Sequence, residues 1–418
     1  MVQLSNLARG LGLGLALYAG IAGAAQAEDV TLNALFMKQA AYSEDNIRAM
    51  IADFEAANAG VKVNPEFVAY EALHDKIVAA QGAGASGYDV VLFDVIWPAE
   101  FGSKGFLQDV TARIPAEYED QIFPGAWTTV NYDGKRWGMP WILDTKYLYF
   151  NKEMLEQAGV AAPKTWDELL VAAKAVKDKG LVEFPIVWSW SQSEAMICDY
   201  TTLVGANQGT FFGEDGKPNF DQGGSLDAVT YMKASIDQGL TNPNSREYFE
   251  EDVRKVFSAG QAAFALNWTY MYNLANDPKE SQVAGKVGVV PAPGVNGKTI
   301  ASAVNGSMGL GVTAGSAHSE EAWKFISFVT SAEQQNKYAK LSLPIWKASY
   351  DLPEVTAGQE ELVAAAFVSI GEMFARPSTA NYPELSAILQ KHIQGVLLGS
   401  AEPADALKAA ADEAARLR

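Results

Sequence analysis

The sequence predicts an α/β protein built as two lobes. At 418 residues, the chain is about twice as long as a typical domain. From Asp29 onward, strand patterns alternate with helix patterns, and such alternation is typical of a sheet wrapped by helices. The third strand, residues 88–93, is apolar almost throughout, as expected for a strand covered on both faces of a parallel sheet.

The first half of the chain contains a β-α-β-α-β series. Strands are predicted at 30–36, 61–68 and 88–93. Ser43 is a good N-cap for a first helix that ends before Gly60, and the second helix is predicted over 70–81. A polar kink at Asp144 then separates two short extended segments. We therefore expect the chain to cross between lobes near Asp144.

The second half continues the alternation, and its elements follow from the same periodicities. Thr165 and Glu168 form a capping-box pair for one of the helices. A small hairpin is predicted at 213–221, and a Pro/Gly loop is expected between the last two strands. Strands are predicted at 184–188, 263–266, 287–290 and 309–312, and helices at 152–158, 165–179, 194–204, 225–238, 246–259, 319–330, 332–340, 383–398 and 403–416.

The first 27 residues have the pattern of a cleavable signal peptide. Arg9 precedes a short apolar run at 10–21, and Ala25-Gln26-Ala27 is a small-x-small cleavage site. A retained anchor is the alternative, but the run is short for a span. Because no cysteine follows the cleavage site, we expect a free periplasmic protein. The net charge of −18 argues against binding to nucleic acid or anionic membranes.

Motifs for catalysis or cofactor binding are weak or absent in the sequence. Residues 82–87 match G-x-G-x-x-G but follow a helix and precede a strand, which indicates a flexible loop and not a dinucleotide site. The three histidines lie outside any metal-binding spacing. Cys198 is the only cysteine, so it forms no intramolecular disulfide, and we expect a buried, inert thiol. No catalytic residue, metal or cofactor is predicted.

Four strand ends carry polar and aromatic side chains together. In open α/β sheets, ligands bind outside the carboxyl ends of strands. Carboxylates accept hydrogen bonds from sugar hydroxyls, and Trp rings offer flat apolar faces to sugar C–H groups. Core packing is the alternative for each junction alone, but together they favour a site for a polyhydroxylated ligand. The junctions are Asp94 with Trp97, Trp141 with Asp144, Trp188 and Trp190 with Glu194, and Asn267 with Trp268 and Tyr270.

These segments resemble family 1 of the extracellular solute-binding proteins, the receptors of carbohydrate ABC importers, which include maltose- and trehalose/maltose-binding proteins. The resemblance covers the whole mature chain. Its most specific segments are Tyr88-Asp-Val-Val-Leu-Phe-Asp94-Val-Ile-Trp97-Pro, Trp137-Gly-Met-Pro-Trp141-Ile-Leu-Asp144, Thr165-Trp-Asp-Glu-Leu169, Gly260-Gln-Ala-Ala-Phe-Ala-Leu-Asn267-Trp268 and Ala375-Arg376-Pro377.

The resemblance implies a periplasmic-binding-protein fold of two α/β lobes, each a sheet flanked by helices, joined by three crossings with the ligand between them. It predicts an N-terminal lobe of 28–142 with 310–345 and a C-terminal lobe of 146–306 with 350–418. It assigns ligand contacts to Asp94, Asp144, Trp268 and Arg376. With the strand-end residues and an acid in the first helix, the candidate ligand-binding residues are Glu44, Asp94, Trp97, Asp144, Trp190, Asn267, Trp268, Tyr270, Asn305, Gly306 and Arg376.

Two departures from the trehalose/maltose group leave the ligand open. Asn305-Gly306-Ser307 replaces a Gly-Gly-Trp segment, and Trp188-Ser-Trp190-Ser-Gln192 replaces an amide-rich loop. A disaccharide, a glycosyl-glycerol, a polyol and an anionic sugar facing Arg376 all remain possible. We expect a monomeric receptor that closes around its ligand and docks on membrane permease subunits. A secreted glycosidase or lyase is the second hypothesis, because two of the many acids could meet in space.

Overall fold

The computed structural model describes residues 29–82 and 87–417. The predicted signal peptide lies outside these residues. The strands are β1 (Val30–Met37), β2 (Gln39–Ala40), β3 (Tyr42–Ser43), β4 (Val61–Val68), β5 (Val90–Asp94), β6 (Asn131–Tyr132), β7 (Lys135–Arg136), β8 (Met139–Ile142), β9 (Tyr147–Asn151), β10 (Ile186–Val187), β11 (Phe264–Asn267), β12 (Val287–Val295), β13 (Thr299–Val304), β14 (Met308–Val312) and β15 (Met373–Phe374).

The helices cover both faces of the sheets. They are α1 (Glu44–Ala57), α2 (Tyr70–Gly82), α3 (Pro98–Ser103), α4 (Tyr118–Gln121), α5 (Pro124–Trp127), α6 (Lys152–Ala158), α7 (Trp166–Asp178), α8 (Glu194–Ala206), α9 (Gly223–Asp237), α10 (Glu250–Ser258), α11 (Met271–Asn276), α12 (Ser319–Val329), α13 (Ala332–Lys337), α14 (Pro353–Thr356), α15 (Glu360–Gly371), α16 (Tyr382–Leu397) and α17 (Pro403–Ala414), with 3-10 turns at Thr111–Arg113, Pro243–Glu247 and Lys347–Asp351.

The first large sheet has five strands in the order β4-β1-β5-β14-β8. Strand β1 pairs in parallel with β4 and β5, as the β-α-β-α-β series predicts. The expectation of a wholly parallel sheet is wrong, because β14 pairs antiparallel with both β5 and β8. Strand β14 enters this sheet directly from the second one, so it runs in the opposite direction.

The second large sheet has six strands in the order β10-β11-β9-β12-β13-β15. Strands β12 and β13 form an antiparallel hairpin, whereas the sequence suggested a Pro/Gly loop there. The predicted hairpin at 213–221 is reduced to one bridge between Phe212 and Pro218. The predicted helix at 246–259 is split, since a 3-10 turn precedes α10.

The chain passes between the two large sheets three times. The first passage, residues 143–146, joins β8 to β9, and the second, 305–307, joins β13 to β14. The third passage lies between α13 and α15, because α12 packs on the first sheet and α15 packs on β12 and β13 of the second. The two-lobed α/β architecture is confirmed, and residues in the first two passages lie next to the ends of strands from both sheets.

Separate apolar cores hold the sheets to their helices. One core packs around β1, β5 and β14, and two others pack on opposite sides of the second sheet. Local signals fix the helix starts: the Ser43 hydroxyl accepts from the Asn46 N–H, and the Thr165–Glu168 capping box is formed. Cys198 is buried, as expected. Among the described residues, no helix has the length and apolar character needed to cross a membrane.

Candidate functional site

A cavity of about 280 Å³ lies where the two large sheets meet. Its wall includes residues from the carboxyl ends of β1, β5, β8 and β11, and from the first turns of α2, α8 and α10. This is the edge at which open α/β sheets bind ligands. Six of the predicted residues lie on this wall: Asp94, Asp144, Trp268, Tyr270, Gly306 and Arg376.

Arg376 joins the two sides of the cavity through a buried ion cluster. Its guanidinium donates to Asp94 Oδ1 at 2.8 Å and to Glu194 Oε1 at 2.7 Å. Asp94 ends β5 of the first sheet, whereas Glu194 begins α8 beside the second. Burial works against the charge, but Asp94 and the other neighbouring groups outweigh burial and raise the pKa of Arg376. The guanidinium is therefore already paired with two carboxylates.

Asp144 lines the cavity and uses one of its two carboxyl oxygens in hydrogen bonds to the protein. Oδ1 accepts from the Thr145 N–H at 2.8 Å and from the N–H and hydroxyl of Thr269 at 3.2 and 2.5 Å. No hydrogen bond reaches Oδ2 from the part of the chain that the structure describes. Burial raises the pKa of Asp144 to about 7, against the opposing effects of these hydrogen bonds and Lys146. Oδ2 is thus able to accept from a ligand, or to donate when protonated.

Trp268 is held in a fixed orientation on the cavity wall. Its indole Nε1 donates to Glu250 Oε1 at 3.2 Å, and its backbone N–H donates to Asn267 Oδ1 at 2.8 Å. A Cβ at Gly306 would lie well inside van der Waals distance of two atoms of the indole, so any side chain there would overlap the ring. Gly306 is therefore needed for space, and the Trp268 ring shares the cavity wall with Asp144.

Lys146 lies behind this wall with no exposed side-chain surface. Its ammonium is 2.6 Å from Asp199 and 3.4 Å from Glu250, and it lies 5.0 Å from the centre of the Trp268 ring. Burial disfavours the charge, but Asp199 and Glu250 outweigh burial and raise the pKa of Lys146. Lys146 thus fixes both Glu250 and Trp268 from the inner side.

Five predicted residues are not on the cavity wall, and their roles as ligand contacts stay predictions. Trp190 is fully buried and stacks on Trp188 at 4.9 Å. Trp97 packs behind Tyr70, with ring centroids 5.8 Å apart. Glu44 sits in the first turn of α1 beside Arg48.

The other two are amides that tie backbone segments together. Asn267 donates to the Glu250 carbonyl and accepts from the Trp268 N–H. Asn305 donates to the Gly125 carbonyl and the Thr128 hydroxyl, and its Oδ1 accepts from the Ser307 N–H. Both side chains are used by the protein, although the Asn305 carbonyl also accepts from Arg376 at 3.3 Å.

A family model described as "Bacterial extracellular solute-binding protein" matches residues 40–336, well over half of the chain. The chain belongs to this family. This match and the structural similarity to a solved maltose-bound protein confirm the sequence resemblance and the fold class.

Three relatives cover most of this solute-binding protein. The maltose-bound MalE3 of T. maritima is 31% identical, covers 92% of this chain and 98% of its own, and has a TM-score of 0.84. A solute-binding protein of Thermotoga lettingae bound with α-D-tagatose is 28% identical, with coverages of 92% and 98% and a TM-score of 0.81. A "Probable ABC transporter-binding protein" of Deinococcus radiodurans is 30% identical, with 81% of each chain covered.

Several wall residues of this solute-binding protein were missed by sequence reasoning. Tyr70, whose hydroxyl donates to Asp94 Oδ2 at 3.1 Å, and Phe249, Glu250 and Glu251 all line the cavity. Cys198 is also on the wall, and burial raises the pKa of its thiol. A usable signal existed for the acids, because Glu250 and Glu251 occupy the first turn of a helix, where carboxylates are favoured.

Proposed function

We propose that this protein is the receptor of a carbohydrate ABC importer and captures a small polyhydroxylated ligand between its lobes. The observation that carries the proposal is that Asp144 and Trp268 line the same cavity, while the hydrogen bonds from Thr145 and Thr269 use only one of the two Asp144 carboxyl oxygens. Carboxylate oxygens accept from hydroxyls, while an indole face packs on the C–H side of a sugar ring. Relatives that carry maltose and α-D-tagatose support a sugar as the ligand.

The dimensions of the cavity support a compact ligand. Its volume of about 280 Å³ is near the lower end of the range of about 300–1,000 Å³ for small-molecule sites. A monosaccharide, a sugar alcohol or a disaccharide suits this volume better than a long oligosaccharide does. The paired state of Arg376 removes the reason to expect an anionic sugar at that residue.

Capture works by closure of the two lobes, residues 28–142 with 310–345 and residues 146–306 with 350–418, about the three passages. The closed receptor then presents a surface that the membrane permease recognises. The protein acts as a monomer in the periplasm, without catalysis, cofactor or nucleic acid. Membership of an extracellular solute-binding family supports this location and role.

The enzyme alternative has one observation in its favour. A carboxyl with a pKa near 7, such as Asp144, is suited to general acid catalysis. However, Asp94 and Glu194 are both engaged by Arg376. Glu250 is engaged by Lys146 and Trp268, so none of the three is an unpaired carboxylate. Family membership also favours a receptor.

A thermal-shift screen tests the proposal directly. The full mature chain is heated with maltose, trehalose, D-tagatose, glucosylglycerol, D-mannitol and D-glucose, and the same samples are then analysed for released monosaccharide. A bound ligand at one hundred times its Kd adds about 2.7 kcal/mol to stability, so at least one compound is expected to raise the Tm without being cleaved. A flat response to the whole panel, or cleavage of a disaccharide, would contradict the proposal.

A further inference from the structure

The cavity wall is strongly acidic. Six lining residues carry carboxyl groups, and two, Lys38 and Arg376, carry basic groups. The acids are Glu71, Asp94, Asp144, Glu194, Glu250 and Glu251. Even with Asp144 counted as neutral, the acids outnumber the bases by five to two on this wall.

Neighbouring groups do not cancel this excess. Arg376 faces two carboxylates, and the buried Lys146 faces Asp199 as well as Glu250. Arg254 binds Glu251 but also contacts Glu280 at 3.6 Å. The first turns of α2, α8 and α10 each contribute about half a positive charge, which together is less than the excess of carboxylates.

An inorganic cation does not explain the acidity either. Within residues 29–82 and 87–417, no group of three or more His, Cys, Asp or Glu side chains is arranged to hold a metal ion. Glu250 Oε1 accepts from Trp268, while no described residue donates to Oε2. Four aromatic residues share the wall, namely Tyr70, Phe249, Trp268 and Tyr270. Free carboxylate oxygens beside aromatic faces are suited to an organic ammonium group.

We propose that the cavity selects its ligand by charge: it prefers a small sugar or polyol that carries a protonated amine over the neutral counterpart, and rejects the corresponding acid. This inference rests on the proposed sugar-receptor function. Glu250 is the residue that receives the ammonium, since its Oε2 is free and its other oxygen is fixed by Trp268 and Lys146. The four aromatic residues of the wall bind the carbon skeleton of the amine, of the neutral compound and of the acid alike.

Calorimetric titration of matched triplets tests this selection. The triplets are D-glucosamine, D-glucose and D-glucuronate; D-galactosamine, D-galactose and D-galacturonate; and 1-amino-1-deoxy-D-glucitol, D-glucitol and D-gluconate, all at pH 7. In at least one triplet, the amine is expected to bind about tenfold more tightly than the neutral compound, because a hydrogen bond to a charged donor is the stronger one. The acid is expected to bind most weakly. Added salt is expected to reduce the differences in affinity among the three compounds of a triplet.

Two variants separate the role of Glu250 from general charge. Glu250→Gln is expected to abolish the advantage of the amine, read as the ratio of the affinities for the amine and the neutral compound within the same variant. Glu156→Gln makes the same charge change at an exposed site on α6 and is expected to leave the preference unchanged.

Each other outcome overturns the inference. If neutral compounds bind and amines are no better, or if acids bind equally well, charge selection is wrong while the receptor function stands. If no compound in the triplets binds while a compound of the broader sugar panel does, charge selection is wrong and the receptor function stands; if nothing binds at all, both proposals fail. An amine advantage that persists in Glu250→Gln would remove Glu250 from the account.

Discussion

Gly306 is the residue on which the position of the Trp268 ring depends. Any side chain at this position would overlap the indole, although the backbone conformation does not itself require glycine. We predict that Gly306→Ala displaces the ring and weakens ligand binding by about tenfold, the effect expected from loss of a stacking face. Titration calorimetry with the best ligand of the thermal screen measures this loss.

The matched control is Gly371→Ala. A Cβ at Gly371 meets no atom within 4 Å, and its φ is not left-handed, so affinity and Tm should be unchanged. Equal affinities for the two variants would contradict the role given to Gly306.

The raised pKa of Asp144 leads us to expect that the stability of the protein depends on pH. Burial raises its pKa from 3.8 to about 7, so the folded protein keeps the proton over a range in which the unfolded chain has lost it. The stabilising contribution is therefore complete below a pH of about 4 and is lost as the pH rises through about 7. Asp144→Asn keeps an Oδ1 acceptor for Thr145 and Thr269 and removes the ionisation.

We expect the Tm of Asp144→Asn, relative to the unaltered protein, to increase between pH 5 and pH 8. Differential scanning calorimetry at several pH values measures this. Asp351→Asn, at an exposed position, should show no such trend. A Tm difference that does not change with pH would show that Asp144 is not the titrating group.

Some of the predicted residues that follow strands reach the cavity, whereas others of the same type pack into the cores. Asp94 and Trp268 follow strands and reach the cavity, whereas Trp97 and Trp190 stack on other aromatic rings in the cores. Nothing in the sequence separates these two cases, because the direction of a side chain beyond a strand end depends on tertiary packing. For the same reason, the ion pairs of Arg376 could not be predicted.

At the scale of elements, the first passage is fixed to helix α8 by the buried Lys146–Asp199 pair. We predict that Lys146→Met lowers the free energy of unfolding by about 3–5 kcal/mol, because it leaves Asp199 buried and unpaired. The double variant Lys146→Met, Asp199→Asn removes both charges and should recover a large part of the loss. Urea denaturation measures the free energy of unfolding of the unaltered protein, of Lys146→Met and of the double variant.

An exposed pair on α7 provides the comparison. Lys174 and Asp178 are 2.7 Å apart and both more than half exposed, so Lys174→Met should cost at most about 0.5 kcal/mol. If Lys146→Met is equally mild, or if the double variant recovers nothing, the buried pair does not hold the first passage in the way described.

Elements with strong local signals were predicted well, and those without were not. Helices α1 and α7 begin at the predicted caps. Strand β13 was missed, although Asn296-Gly297 is a hairpin signal and Gly297 has a φ of +74°. Helix α15 was not predicted because its sequence has no clear helical periodicity. Apolar residues occur on all sides of this helix, including the exposed Phe367 and Val368.

At the scale of the whole molecule, the chain length and the alternation of strands and helices predicted two α/β units, and the family resemblance predicted the two-lobed arrangement. The sequence pattern could not predict that β14 returns from the second sheet and pairs antiparallel with β5 and β8, because this depends on the path of the chain between the two lobes. The same path of the chain places Asp144 in the first passage and Gly306 in the second. The Gly306 N–H donates a hydrogen bond to the Asp144 carbonyl at 3.1 Å, so the two passages are joined. The site is thus built into the connections between the lobes.

The most direct test of an interlobe sugar site is a calorimetric titration of the unaltered protein and of Trp268→Ala with the best ligand of the thermal screen. Phe367→Ala, which removes an exposed ring on α15, is the control. We expect one ligand per chain, a loss of affinity of about tenfold or more in Trp268→Ala, and no change in Phe367→Ala. Unchanged affinity in Trp268→Ala would contradict the interlobe sugar site.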